Sequence, residues 1–171
     1  MNEKNIDQEL NFEENLNELM QIKRDKLKYL QEHGKDPFKI TVCDRNSTSE
    51  EIRNNFEALE NKDVKIAGRI MSWRDMGKAA FMDIHDRTGR MQVYLKIDDI
   101  GQEAFEMLSK WDIGDIISVE GYVFKTRRGE ISVHAQKLEL LSKSLLPLPD
   151  KFHAEPSHQS WNWRSSGVSP D

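Results

Sequence analysis

Five short runs of alternating apolar and polar residues between Val64 and Leu141 constrain the fold of this chain more than any other feature. Each run is rich in β-branched and aromatic residues and is bounded by turn residues, as β-strands are. Between the third and fourth runs, the segment Asp98–Trp111 instead carries apolar side chains at helical spacing. The five runs are VKIAGRIMSWRDM, AAFMDIHDR, RMQVYLKI, GDIISVEGYVFKTRR and GEISVHAQKLELL.

Five strands with one helix between the third and the fourth follow the order of an OB-fold, a partly open five-stranded barrel. Gly89 and Gly129 stand where tight hairpins need turn glycines, and Gly68 and Gly121 fall inside strands, where glycine often marks a bulge or a bend. The alternative is an ordinary antiparallel sandwich. The predicted fold class is mainly β with flanking helices, a five-stranded OB-fold barrel preceded by an N-terminal helical extension.

The predicted domains follow from this placement of the barrel. Residues 1–61 form the N-terminal helical extension, residues 62–145 form the OB-fold domain, and residues 146–171 form a linker and a divergent, disordered tail. In the extension, an apolar stripe predicts an amphipathic helix from Leu16 to Leu30. A second, short helix is predicted to run through Phe56 and Leu59, with Ser47 or Thr48 as its N-cap.

The polar face of the first helix is basic, with Lys23, Arg24, Lys26 and Lys28 outside the apolar stripe. Two interpretations stay open for this face. The side chains either contact the sugar-phosphate backbone of a bound RNA or are simply solvated.

Composition excludes several classes of protein. A chain of 171 residues, 37% hydrophobic and 32% charged, can bury one modest core with appendages. No run is long enough to span a bilayer, and the first twenty residues are acidic and polar, unlike a secretory signal, so we expect a cytoplasmic protein. The single Cys43 cannot form an internal disulfide and is expected to be inert.

The charge distribution favours a small nucleic-acid site. The chain has a net charge of -5, but residues 62–137 hold thirteen Lys/Arg against twelve Asp/Glu. Proteins that bind duplexes non-specifically usually show a strong basic excess, whereas OB-folds bind short single strands across strands 2 and 3. Two local basic clusters are either binding residues or solvated strand ends: Arg69, Arg74 and Lys78, and Lys125, Arg127 and Arg128.

Four stretches occur in the order known from one family: KRDKLKYLQEHGKDPF, AGRIMSWRDMGKAAFMDIHDRTGRMQVYL, KWDIGDIISVEGYVFKTRRGEISV and LLPLPDKFH. From about Leu16 to His153 the chain thus resembles the N-terminal anticodon-binding region of bacterial class II lysyl-tRNA synthetases. The aspartyl and asparaginyl enzymes share the architecture. The MGKAAF turn and the PLPDKFH exit are similar to the lysyl branch in particular.

The resemblance implies a site for the tRNA anticodon. Phe81 corresponds to the aromatic residue on which the central anticodon uridine stacks, and such stacking contributes about 1–3 kcal/mol per base. Gln92 and Arg74 correspond to residues that hydrogen-bond the same uridine. Glu130 corresponds to an acidic residue that reads a neighbouring base, and Arg69 is a candidate for a supporting phosphate or site-ordering contact.

The resemblance also implies partners and cofactors. The expected partner is the anticodon stem-loop of tRNA-Lys, with a homodimer or an association with the full-length synthetase as further partners and no membrane. ATP and magnesium serve the catalytic domain of the full-length family enzyme, so we expect no cofactor, metal site or catalytic residue in this chain, and no aminoacylation by it alone. The stretch Ala154–Asp171 departs from the family pattern and is interpreted as a truncated or frameshifted end, or as a short disordered tail.

Two functions of other classes remain as alternatives. The first is a stand-alone OB-fold protein that binds single-stranded nucleic acid on Phe81, Tyr94 and Phe124 with little sequence preference. The second is a regulatory or interaction fragment whose helix from Leu16 to Leu30 docks on another protein. Binding to lysine, aspartate and unrelated anticodon stem-loops distinguishes them.

Overall fold

The computed structural model describes residues 3–39 and 43–146, and the structural statements below concern these residues. They form five helices and five strands, with 3-10 turns at Pro37–Lys39 and Leu108–Lys110. The helices are α1 (Glu3–Glu32), α2 (Ser49–Asn54), α3 (Phe56–Leu59), α4 (Ile97–Ile100) and α5 (Gln102–Met107). The strands are β1 (Asp63–Asp75), β2 (Ala79–Asp86), β3 (Gly89–Lys96), β4 (Ile116–Lys125) and β5 (Ile131–Ser142).

The five strands close into a barrel in the order β1-β2-β3-β5-β4. All neighbouring strands are antiparallel except β3 and β5, which run parallel, with Gln92 opposite Ser132 and Tyr94 opposite His134. β1 pairs with both β2 and β4 and so completes the ring. This arrangement confirms the predicted five-stranded OB-fold barrel with an N-terminal helix before it.

Alternation along each strand fills the barrel interior. In β3, Met91, Val93 and Leu95 are buried, whereas Gln92 and Tyr94 lie between them on the outer face. This period of two is the geometry of a pleated strand with one face on a core. The other strands add the buried side chains of Val64, Ile66, Ile70, Ala80, Met82, Ile84, Ile117, Val119, Val123, Val133, Ala135 and Leu140.

Two strand glycines allow backbones to approach closely. The register of β4 against β5 shifts between Glu120 and Gly121, which confirms a bulge at this glycine. A Cβ atom on Gly121 would lie 1.9 Å from the carbonyl oxygen of His134. Gly68 does not mark the shift in β1, which lies between Ile70 and Ser72; its Cβ would instead lie 2.9 Å from the backbone oxygen of His85.

Helix α1 is longer than the apolar stripe predicts, and its packed face includes a lysine beside part of that stripe. It begins at Glu3 rather than near Leu16, because Glu, Leu and Gln favour helix even where no stripe is required for packing. Lys23, predicted on the polar face, is only 8% exposed, whereas Leu19 and Ile22 are exposed. Leu30 of the predicted stripe is buried in the core. Lys23 is buried as well because Asp112 and Asp115 of an acidic loop lie close to it.

A buried ionic cluster fixes this contact. The Nζ atom of Lys143 lies 2.6 Å from Asp112 Oδ2 and 2.7 Å from Asp115 Oδ2, and Lys26 of α1 lies 2.6 Å from Asp112 Oδ1. Burial disfavours the ionised Asp112, but hydrogen bonds from Lys143 and Lys26 outweigh it and hold the pKa of this carboxyl below its usual value. Burial lowers the pKa of neighbouring Lys23. The cluster thus joins α1, the loop before β4 and the end of β5.

The short helices are more broken than predicted. Thr48 caps α2 in a reciprocal capping box with Glu51, which confirms one of the two predicted N-caps. The helix then ends at Asn54, and Asn55 separates it from α3, so the predicted single helix is two. The predicted helix across Asp98–Trp111 is likewise divided by Gly101, whose φ of 89° ends α4 before α5.

Three further predictions concern Cys43, membrane-spanning helices and the C-terminal tail. Cys43 is a free, partly exposed thiol. In the portion that the structure describes, no helix is both long and apolar enough to cross a membrane. Residues 147–171, which make up nearly all of the predicted linker and tail, lie outside the described residues.

Candidate nucleic-acid interface

A groove of about 620 Å³ opens on the outer face of the barrel. The turn between β1 and β2 and the hairpin between β4 and β5 form its walls, and β2 and β3 form its floor. Four of the five predicted site residues meet here: Arg74, Phe81, Gln92 and Glu130. The remaining lining residues are Asp75, Met76, Thr126, Arg127 and Arg128.

Phe81 presents an aromatic ring on the groove floor. Its neighbours Ala80 and Met82 are buried in the core, so the strand period directs Phe81 outward. The guanidinium carbon of Arg74 lies 5.3 Å from the ring centroid, a cation–π distance, and the ring of Tyr94 lies 5.0 Å away. Both partners are cross-strand neighbours of Phe81, which holds the ring in place for stacking.

Gln92 is oriented by a buried hydroxyl. Ser132 Oγ donates a hydrogen bond of 2.9 Å to Gln92 Oε1, and Ser132 itself is fully buried. The bond occupies the acceptor oxygen of the amide. The N–H donors are therefore the part of the side chain suited to a carbonyl oxygen on a base edge.

Glu130 is held by an arginine from the next strand. Arg90 Nη1 donates to Glu130 Oε1 at 3.1 Å, and Arg90 Nη2 lies 3.0 Å from Asp83 Oδ1. That oxygen is buried and has no well-aligned hydrogen bond, while Asp83 Oδ2 accepts from Ser72 Oγ at 2.7 Å. Contact with Asp83 raises the pKa of the Arg90 guanidinium, so the arginine stays charged beside Glu130.

The two turns that wall the groove are stabilised locally. Gly77, with a φ of 82°, turns the chain after β1, and its N–H donates to Asp75 Oδ1 at 2.9 Å. Gly129, with a φ of 87°, turns the chain between β4 and β5. In that hairpin the backbone N–H of Glu130 donates to Thr126 Oγ1 at 3.1 Å. The positive φ angles explain why glycine occupies both turns.

Arg69 does not lie on the groove. It precedes Arg74 by five positions on β1 and pairs with His85 of β2 and Ile116 of β4. Its Nη1 donates to the backbone oxygen of Gly114 at 2.8 Å, which ties β1 to the loop before β4. A phosphate or site-ordering role for Arg69 stays a prediction.

Several residues of the interface carry no recognisable role in the sequence. The sequence did not decide whether Arg127 and Arg128 bind nucleic acid or are simply solvated. The structure places both on the groove. Ser132 and Arg90 act through Gln92 and Glu130, 40 positions away in each case. Those partnerships depend on the parallel pairing of β3 with β5, which alternation within one strand does not reveal.

The arrangement suits one or a few unstacked bases. An aromatic floor supplies sequence-tolerant stacking, and an amide and a carboxylate with fixed orientations supply a donor and an acceptor for base edges. Among the described lining residues, three arginines face two carboxylates. The mild basic excess is enough to attract a phosphate backbone locally without making the whole domain basic.

Comparison with known families agrees with this geometry. Residues 64–141 match the sequence profile of a family named for the tRNA anticodon and described as "OB-fold nucleic acid binding domain". The match begins in β1 and ends in β5, so it covers the barrel. The barrel therefore belongs to the OB-fold nucleic acid binding domains.

Individual relatives define the protein more narrowly. The chain is 51% identical over 151 residues to a lysine–tRNA ligase of Clostridium tetani. The aligned region covers 88% of this chain and 30% of the relative. It is 54% identical to a lysine–tRNA ligase of Clostridium botulinum (strain Loch Maree / Type A3) over 84% of this chain and 28% of the relative. These matches confirm the predicted resemblance: the chain is homologous to part of the bacterial lysine–tRNA ligases and spans about 30% of their length.

Proposed function

We propose that this chain binds the anticodon stem-loop of a lysine tRNA and contributes that recognition to ATP-dependent attachment of lysine to tRNA, the reaction for which its relatives are named. In this proposal the central anticodon uridine stacks on Phe81. Gln92 and Arg74 hydrogen-bond its polar edge, and Glu130 reads a neighbouring base. ATP and magnesium belong to the attachment reaction rather than to the groove.

The observation that carries the proposal is the convergence of four residues from three strands and one hairpin. Arg74, Phe81, Gln92 and Glu130 are separated by up to 56 positions in the sequence, yet they line one groove. Two of them are held by dedicated partners, Ser132 for Gln92 and Arg90 for Glu130. A set of ordinary surface residues would need no such orientation, whereas base reading does.

Replacing Phe81 with alanine tests the stacking role. We expect Phe81→Ala to weaken binding of a lysine anticodon stem-loop by about 1–3 kcal/mol, the range for loss of one base–aromatic stack. The matched control is Phe38→Ala, which removes a ring that is 52% exposed and lies outside the groove and should leave affinity unchanged. Fluorescence anisotropy titrations would measure both, with the thermal midpoint checking the fold.

Replacing Gln92 with alanine tests the base-reading role separately. We expect the variant to lose discrimination between a central uridine and a central cytidine more than it loses overall affinity, because hydrogen bonds to base edges supply sequence choice. Titrations with matched stem-loops that differ at this one base would show it. Equal discrimination by wild type and Gln92→Ala would contradict the assignment.

Comparison of stem-loops distinguishes this function from sequence-tolerant binding. The wild-type chain should prefer a lysine anticodon stem-loop over aspartate and unrelated stem-loops. Equal affinity for all of them, with Phe81→Ala weakening binding to each stem-loop alike, would favour a general single-strand platform over an anticodon site.

A further inference from the structure

A row of aromatic rings continues past the groove onto strands that the proposed anticodon site does not use. Phe81 of β2 pairs with Tyr94 of β3, Tyr94 pairs with His134 of β5, and His134 pairs with Tyr122 of β4. Adjacent centroids in this row are 5.0, 5.0 and 4.7 Å apart. Phe124, two residues along β4 from Tyr122, adds a fifth ring 5.8 Å from His134.

The far end of the row is held rigid. Tyr122 Oη and His134 Nδ1 are hydrogen-bonded at 2.8 Å, and His134 Nε2 and Asp99 Oδ2 of α4 at 2.7 Å. Both imidazole nitrogens are thus engaged, and the rings of Tyr122 and His134 stack at an interplanar angle of 24°. A locked ring pair costs little conformational entropy when a further flat group stacks on it.

The length of the row exceeds what one base occupies. Four neighbouring strands span three strand spacings, about 14 Å in all, whereas a single ring-on-ring contact has centroids about 4.5–7 Å apart. The barrel core is built from aliphatic residues and methionine, so these rings are not needed to fill it. All five are partly exposed on the outer face, beside the groove whose floor begins with Phe81.

We propose that Tyr122 and His134 form a second stacking site, which binds an unpaired base flanking the anticodon in the same RNA. The proposal rests on the proposed anticodon function and extends it from the groove to β4 and β5. Because the row is continuous with Phe81, the occupant is the next part of the RNA strand whose base stacks on Phe81. Stacking on Tyr122 is independent of base identity, since every base has an aromatic face, so this site adds affinity and register rather than sequence choice.

The decisive experiment pairs Tyr122 variants with RNA from which single bases are missing. Tyr122→Leu keeps apolar volume without an aromatic ring, and Tyr122→Phe, the matched control, keeps the ring but loses the hydrogen bond to His134. We expect Tyr122→Leu to bind a lysine anticodon stem-loop about 5- to 150-fold more weakly, the range for loss of one stack, and Tyr122→Phe to bind almost as wild type. With an abasic nucleotide at one position flanking the anticodon, wild type and Tyr122→Leu should bind equally.

The readout separates the second site from the anticodon site. Phe81→Ala should lose its effect only when the central anticodon base is missing, and Tyr122→Leu only when a flanking base is missing. If Phe81→Ala behaves as stated while the loss from Tyr122→Leu is absent, or is the same for every abasic loop, the second site is refuted and the anticodon site stands. If Phe81→Ala shows no coupling to any base, the anticodon site is refuted on its own variant.

A measurement on the unmodified protein guards against an unfolded variant. The fluorescent base analogue 2-aminopurine, placed in turn on each side of the anticodon, should be quenched on binding at the position that stacks on Tyr122. Unchanged fluorescence at both flanking positions, with the stem-loop bound, overturns the proposal.

Discussion

Replacing Lys143 with methionine should lower the free energy of unfolding by about 3–5 kcal/mol, the usual cost of removing one partner from a buried ion pair. The Lys143 side chain is fully buried, as is that of Asp115, and its Nζ atom contacts both Asp112 and Asp115. Methionine keeps the length of the apolar stem but leaves two carboxylates without their shared cation. Chemical denaturation monitored by circular dichroism would measure the loss.

The same substitution at an exposed lysine provides the control. Lys28 of α1 lies 4.0 Å from Glu32, and its side chain is 75% exposed, so Lys28→Met should change stability very little. If Lys143→Met costs less than about 1 kcal/mol, the range of a surface pair, the buried ion pairs between the loop before β4 and the end of β5 do not stabilise the fold as their geometry indicates.

Replacing Gly121 with alanine should destabilise the barrel by more than the roughly 1–3 kcal/mol of ordinary overpacking. The added Cβ would lie 1.9 Å from the backbone oxygen of His134 and 2.8 Å from its carbonyl carbon. Backbone atoms cannot rotate away as a side chain can, so β4 and β5 would have to separate at the bulge. The thermal midpoint and the denaturant midpoint of Gly121→Ala would report the loss.

Gly77→Ala isolates the other reason for a glycine. At Gly77 nothing lies within 4 Å of an added Cβ, but φ is 82°, so alanine there should cost only the backbone strain of about 1–2 kcal/mol. If Gly121→Ala were no more destabilising than Gly77→Ala, the close contact between β4 and β5 would have to be relieved by an easy local shift.

Strand positions were the most predictable part of the molecule. The strands predicted by alternation agree with β1 to β5 to within a few residues at each end. One face of every strand packs on the barrel core, so apolar residues recur at every second position of the sequence. The helices were predicted less well. Gly101 divides one of them with a positive φ, and Lys23 faces the barrel although charge placed it on the solvent side.

The candidate site also contains residues that could be predicted from the sequence and residues that could not. Phe81, Gln92, Arg74 and Glu130 came from a family resemblance, and their meeting in one groove needed the structure. Ser132 and Arg90 could not be found from the sequence, because a serine or an arginine has many partners and the relevant one is set by strand register. Arg69 shows the converse, since membership in a basic cluster did not place it on the groove.

The parallel pairing of β3 with β5 also bears on how the chain reaches its native state. Gln92 contacts Ser132, which is 40 positions away in the sequence. The entropic cost of closing the loop between them must be met before the strand pairing stabilises the structure. Proteins dominated by such non-local pairings fold on the scale of milliseconds to seconds. On a ribosome, the hairpin of β2 and β3 can form early, but Gln92 and Glu130 acquire Ser132 and Arg90 as partners only after β5 has emerged, so the groove is completed late in folding.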